Sequence, residues 1–333
     1  MAFQTGTSTS IENLLTQLST FLQANGWTET FFNTITGDVG SIGFSKNGIF
    51  VSFQYTEATD GGTMAVYNAT AADPSPTTDP WTATGDSGNG ERSTTPANLD
   101  TDRSVNLFAG PHTAFFFFEQ DSAPAYIHVV VEVDAGRYRH FGFGEIDKIG
   151  DWSGGEYVYA HKWDQSTSRI DVPASGFHDI GIDATTFQSQ GATMRISGYP
   201  GEPDVATEWA NFVDAAGGND SAGNPRWEAI GGWRGSREFS AFHGIRISLG
   251  SAYKPLIPVP LELLDRGPLP DLVRRIGFQA DVRMVNIANI DPGQVINIAG
   301  DDWHFFPWVR KQFLENNTEE SWNAGVAYRR ENA

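Results

Sequence analysis

The stretch AYIHVVVEV-DAG-RYRHFGFGEI, residues 125–146, decides how this chain folds. Two runs rich in β-branched and aromatic residues flank Asp134-Ala135-Gly136, and such runs around a short glycine-containing turn predict a β-hairpin. TAFFFFEQ, residues 113–120, supplies a strand just before it. In the outgoing arm Gly142 and Gly144 alternate with Phe141 and Phe143. Glycines at period two leave one strand face bare, which calls for close approach of another backbone or ring. Beyond the arm lie three acids (Glu145, Asp147, Asp151), the pair Gly154-Gly155, and the aromatics Trp152, Tyr157, Tyr159 and Trp163. That density reads as an active site or as a glycine-jointed docking surface.

Outward from this block the signals alternate between one helix and many strands. Ile11, Leu14, Leu15, Leu18 and Leu22 fall at helical spacing, with Thr9 and Glu12 as a capping box and Gly26 at the left-handed C-cap. GSIGFS-KNG-IFVSFQY, residues 40–55, predicts a hairpin turning at Asn47-Gly48, and TMAVYNA adds a strand. Residues 71–104 are nearly free of aliphatic side chains and rich in Pro, Gly, Ser, Thr and Asp, so they read as a surface excursion. Residues 165–225 are loop-rich, with a short helix expected around EWANFVDAAGG. A third β block starts near Trp227 and includes FHGIRISLG and the proline-broken KPLIPVPLELLDRGPLPDL. It runs on through VRMVNIANI-DPGQ-VINIAGDDWHFFPWVRK, with a turn at Pro292-Gly293, and closes with WNAGVAYRR. The expected fold is mainly β with one capped N-terminal helix and long loops, α+β overall, its antiparallel sheets arranged as a sandwich or barrel. The expected organisation is a helix-plus-hairpin region over 1–70, the excursion 71–104, and a main β-rich domain over 105–333 with an insertion at 165–225.

The chain has 333 residues and no cysteine, which removes thiol catalysis, Cys-ligated zinc and disulfides together. Lys and Arg number 22 against 41 Asp and Glu, a formal charge of −19 that opposes nucleic-acid binding and favours solubility. MAFQTGTSTSIENLL lacks the basic and apolar regions of a signal peptide, and AYIHVVVEV is too short to span a bilayer. The expectation is a soluble protein with no membrane partner.

Motif by motif, no catalytic constellation assembles. GDSGNG (85–90) resembles a serine-protease nucleophile loop, yet every histidine follows Ser87, the reverse of that family's order. Gly142-Phe143-Gly144 lacks the third glycine of a dinucleotide fingerprint. The seven histidines (112, 128, 140, 161, 178, 243 and 304) form no ligand pair at metal-binding spacing, so neither metal nor cofactor is expected. Glu145 with Asp147 or Asp151 is the one carboxylate set that glycoside hydrolysis would use, and it lies beside Lys148 in a turn. Ten tryptophans and 23 phenylalanines remain, either as core, as interface anchors or as a sugar-stacking platform.

Three segments carry a resemblance. They are TSIENLLTQLSTFLQANGW (9–27), YRHFGFGEIDKIGDWSGGEYVY (138–159), and VRMVNIANIDPGQVINIAGDDWHFFPWVRK (282–311) with AGVAYRR after it. Together they resemble structural proteins of tailed bacteriophage particles, of the tail, neck or baseplate type. The aromatic-glycine strand and Gly154-Gly155 match the middle block of that group, and Asp302-Trp303-His304-Phe305-Phe306-Pro307 matches its closing block. Residues 71–104 match no feature of it. The resemblance brings no catalytic residue; it implies a virion subunit, made in the host cytoplasm, whose partners are copies of itself and other virion proteins. On that reading the docking candidates are Gly142, Gly144, Trp152, Gly154, Gly155, Tyr157, Trp163, Trp303 and Trp308. The alternatives are a host-recognition module that stacks a surface glycan on its aromatics and a glycan-cleaving enzyme using the acids near 145–151.

Overall fold

The computed structural model describes residues 1–36, 39–57, 62–69, 71, 104–120, 122–162, 174–175, 192–195, 209–211, 228–231, 256–265, 272–307 and 324–330. Nearly all of the 71–104 segment, GDSGNG, FHGIRISLG, His178, His243, Trp163 and Trp308 lie outside the described residues.

In chain order the elements are β1 (Ala2–Ser8), α1 (Ile11–Ala24), β2 (Thr28–Thr36), β3 (Val39–Lys46), β4 (Ile49–Thr56), β5 (Thr63–Ala69) and β6 (Ser104–Asn106). There follow β7 (His112–Gln120), β8 (Tyr126–Asp134), β9 (Arg137–Glu145), β10 (Asp147–Lys148) and β11 (Glu156–Lys162). Short strands come next: β12 (Ala174–Ser175), β13 (Ala192–Arg195), β14 (Trp209–Asn211) and β15 (Glu228–Gly231). The last are β16 (Ile257–Asp265), β17 (Leu272–Asn286), β18 (Val295–Ile298), β19 (Asp301–Pro307) and β20 (Ala324–Arg330).

The helix ends as its sequence dictates, with one shift at the start. Ser10 rather than Thr9 is the N-cap: its hydroxyl accepts from Asn13 N–H at 3.1 Å, while Asn13 Oδ1 accepts from Thr9 N–H. A hydroxyl one residue later meets the N3 amide equally well, so the capping pair slides from Thr9/Glu12 to Ser10/Asn13. Glu12 instead accepts from the Tyr55 hydroxyl, and Glu57 takes the Glu12 amide at 2.6 Å. At the other end Gly26 (φ +79°) donates to Gln23 O and Trp27 donates to Leu22 O, the paired bonds of a Schellman ending.

Among the described residues all strand pairings are antiparallel, and they make three sheets, none of them closed into a barrel. The first runs β1-β7-β8-β9-β11-β13-β14 with β12 beside β11; the second runs β2-β3-β4-β5-β6; the third runs β15-β16-β17-β20-β19-β18 with β10 beside β17. The β8–β9 and β3–β4 hairpins turn where expected, with Asn47 at φ +51° and Gly48 at +85°. The helix expected around EWANFVDAAGG is replaced at Trp209–Asn211 by a strand paired with β13. Pairing across the sheet there overrides a weak local helical preference. Pro258 and Pro260 sit in β16 at a register shift, beyond the residues that β15 pairs, where a missing N–H is tolerated.

The first sheet lies between the other two and is covered on both faces. Phe115 and Phe117 of β7, with Ile127, Val129, Val131, Phe141 and Phe143, pack on α1 and the second sheet. Phe118, Tyr126, Val130, Tyr138, Tyr157 and Tyr159 turn the other way onto Ile276, Met284, Phe306 and Tyr328 of the third. Burial on both faces explains why IHVVVEV is almost continuously apolar instead of alternating. A smaller cluster of Val285, Ile287, Ile290, Trp303 and Phe305 lies on the far face of the third sheet.

A buried ion pair ties the first two sheets to the helix. Lys46 Nζ lies 3.0 Å from Glu119 Oε1 and donates to Asn25 O at 2.7 Å, while Trp27 Nε1 donates to the same carboxylate oxygen at 3.0 Å. An ammonium at a helix C-terminus meets the negative end of the peptide dipole.

Candidate functional site

The bare face of β9 receives rings from its own chain. Gly142 lies opposite Tyr159 on one side and His128 on the other, and Gly144 lies opposite Tyr157 and Tyr126. A Cβ on Gly142 would meet Ile127 O and Tyr159 Cε1 at 2.6 Å, and one on Gly144 would meet Ala125 O and Tyr126 Cα at 2.4 Å. The close approach that the glycine alternation called for is thus internal, made by two tyrosines of β11 and by β8.

Those rings form a polar layer between the first and third sheets. His128 Nε2 lies 3.0 Å from Ala280 O and His140 Nε2 lies 2.9 Å from Pro307 O. A carbonyl only accepts, so both imidazoles carry their proton on Nε2 and leave Nδ1 to accept. His128 Nδ1 faces the Tyr159 hydroxyl at 3.1 Å, and His140 Nδ1 faces the Tyr328 hydroxyl at 2.9 Å. Tyr126 donates to Asp281 Oδ2 at 2.5 Å, and Arg329 Nη1 holds Asp281 Oδ1 at 3.1 Å. Burial pushes His128 down to about 4 and drives the Tyr126, Tyr157 and Tyr159 hydroxyls well above their ordinary range. Hydrogen bonds at set spacing make such a layer a register device: a slip of either sheet by one residue would leave these groups unpaired in the interior.

Two further histidines are buried singly. His112 joins Ser8 Oγ (2.6 Å) to Leu107 O (2.8 Å) beside β1. His304 is 4% exposed, ringed by Phe3, Phe118 and Phe306, and among the described residues neither of its nitrogens meets a hydrogen-bond partner. Among the described residues no group of three or more His, Asp and Glu side chains could hold a metal ion.

The acids after β9 surround a lysine. Lys148 lies 2.6 Å from Glu145 Oε1, donates at 3.0 Å to both Trp152 O and Gly154 O, and sits 5.6 Å from the Trp152 ring centre. Gly155, at φ +110°, accepts from Ile146 N–H and donates to Arg195 O. The glycine pair thereby closes a loop whose β10 segment pairs with β17, strapping the first sheet to the third. Glu156, directly across from Glu145, is held 3.1 Å from Arg195 Nε, and burial raises its carboxyl above the ordinary value. Asp147 and Asp151 are exposed.

Of the docking candidates, Gly142, Gly144, Gly154, Gly155, Trp152, Tyr157 and Trp303 are all buried within this chain, and Trp163 and Trp308 lie outside the described residues. The large exposed apolar side chains among the described residues are others: Ile149 (47%), Val295 (43%) and Ile298 (37%). Two of the three belong to β18, which ends the third sheet and, among the described residues, has β19 on one side only. Its residues Val295, Ile296, Asn297 and Ile298 include no charge, no proline and no register shift against β19. The outer strands β1 and β2, by contrast, have bulges at Gly6/Ser8 and at Glu29/Phe31 and Asn33/Thr36. Bulges and charges blunt an edge, and β18 has neither. Sequence reasoning favoured aromatics and so passed over VINI; an uncharged strand between two turn signals was the available cue.

No protein-family model matches the chain, and a search of curated proteins finds no match.

Proposed function

We propose that this chain is a non-enzymatic structural subunit of tailed bacteriophage particles, of tail, neck or baseplate type, which assembles with copies of itself and other virion proteins. The open β18 edge carries the assembly half of this reading. An apolar, unblunted edge offers its backbone to any strand it meets, so a chain that keeps one exposed has a partner for it. The interior agrees: His128 and His140 hold two sheets in register, and Glu145 neutralises a lysine that closes a loop. Of the rings a glycan platform would use, Trp152, Tyr157 and Tyr159 are turned inward, and Trp163 lies outside the described residues.

The virion half rests on the sequence resemblance, whose closing segment, residues 282–311, contains β18 and its neighbours. Mass spectrometry of purified particles, with copy counting, tests it. The expected result is the intact chain at a fixed multiple of the other tail components; its absence from infectious particles overturns the reading.

A further inference from the structure

We propose that β18 docks against β18 of a second copy of this chain, antiparallel, across a two-fold axis passing through Ile296. This deepens the assembly reading above, on which it rests, by naming the partner of that edge.

The hydrogen-bond alternation selects the register. Ala299 and Gly300, at φ +56° and +98°, form a two-residue turn, so the flanking pair Ile298 and Asp301 exchanges backbone hydrogen bonds. Hydrogen-bonded and non-bonded pairs alternate along an antiparallel ladder, so Ile296 bonds to Trp303, whereas Val295 and Asn297 turn N–H and C=O outward. The Phe305 N–H donating to Gln294 O at 3.0 Å follows the same alternation. A two-fold at Ile296 sets Val295 opposite Asn297 of the copy, and the converse, so every outward donor meets an acceptor. Centring on Val295 instead would set Asn297 against Gly293, whose N–H is already bonded to Phe305 O at 2.7 Å. Centring on Asn297 would set Val295 against Ala299, inside the turn.

Charge singles out the same place. Two copies at −19 each repel over most of their surface. Along β18 there is no charged side chain, and the adjacent acids are occupied: Asp301 by Arg329 at 3.1 Å and Asp302 by Asn297 Nδ2 at 2.9 Å. On the outer face Ile296 would meet its own copy and extend the cluster of Trp303 and Phe305.

Because the chain has no cysteine, a single substitution tests the geometry. Ile296→Cys places two sulfurs at a non-hydrogen-bonded pair on the axis, where Cα atoms lie about 4.5 Å apart, within disulfide range. Val295→Cys faces Asn297 of the copy and has no sulfur to join. Native mass spectrometry of the full chain should show a concentration-dependent dimer. Mild oxidation should convert most of the Ile296→Cys protein to a covalent dimer, leave Val295→Cys without a covalent link, and cross-link a mixture of Val295→Cys and Asn297→Cys. Should Ile296→Cys fold poorly, that mixture decides the matter alone. The proposal is overturned if the folded variants stay uncoupled, or if Val295→Cys couples with itself as readily as Ile296→Cys. A chain found in particles that does not self-couple defeats this pairing and leaves the virion reading standing; a coupled dimer absent from particles does the reverse.

Discussion

Acid should unfold this protein through its buried neutral histidines, and His304 isolates the effect. His128 and His304 are both pushed by burial from the ordinary 6.5 down to about 4, with Arg330 adding to the push on His304 and Asp302 opposing it. The unfolded chain takes up a proton as pH falls below 6.5, and the folded chain takes it up only below about 4. Stability is therefore complete above 6.5, declines between the two values, and levels off below 4. A displacement of roughly 2.5 pH units at 1.36 kcal/mol each gives about 3 kcal/mol per histidine, of which about 2 is lost between pH 7 and pH 4.5. Two such groups lose a large part of the 5–15 kcal/mol typical of a folded domain. His304→Phe keeps a ring against Phe3, Phe118 and Phe306 and removes both unpartnered nitrogens and the titration. Urea titrations followed by tryptophan fluorescence at pH 7 and pH 4.5 should show the variant losing about 2 kcal/mol less than wild type on acidification. At pH 7 it should be at least as stable, since two buried unpaired polar atoms are gone. An unchanged pH dependence refutes the reasoning.

Three other perturbations follow from the packing. Glu119→Gln or Lys46→Ala leaves one buried charge without its partner, and either should cost about 3–5 kcal/mol in a urea titration. Gly142→Ala drives a Cβ against Ile127 O and the Tyr159 ring; because the oxygen is backbone and cannot swing aside, the loss should be about 2–3 kcal/mol by the same measurement. Ile298→Lys charges an exposed position on the open edge, so self-association measured by analytical ultracentrifugation should fall at least tenfold while the melting temperature moves little.

Local rules reached far into this fold. Ile11 through Leu22 at helical spacing with Gly26 behind them, and Asn47-Gly48 and Asp134-Ala135-Gly136 between apolar runs, each carry their own geometry, and the structure has all three. The cap moved by one residue because Thr9 and Ser10 offer the same hydroxyl, and only the path of the chain chooses between them. Long-range facts were harder to read. Gly142 and Gly144 announced a close neighbour, yet nothing local said that the neighbour was Tyr159 of the same chain rather than a ring of another. His128 and His140, scattered in sequence, meet the third sheet through contacts more than 150 residues apart. The edge at β18 was least visible, since being an edge depends on which strand is missing beside it, and no residue encodes that alone.

The double coverage of the first sheet restricts how such a chain can assemble. A two-layer sandwich leaves the outer face of each sheet for partners, but here the middle sheet has given one face to α1 and the second sheet and the other to the third. Its aromatic wealth is therefore unavailable to a neighbour unless a core opens, which would expose Phe118, Tyr126, Tyr157 and Tyr159 together and cost more than an ordinary contact returns. Among the described residues, backbone at the sheet ends stays open to recognition. Bulges interrupt the ladders at β1 and β2, so those ends offer broken rows of donors and acceptors. At β18 the row is intact, short and uncharged, which favours an interface fixed by register more than by area. Specificity of that kind suits a part made in many identical copies, because the same few hydrogen bonds set both the partner and the angle at which it joins.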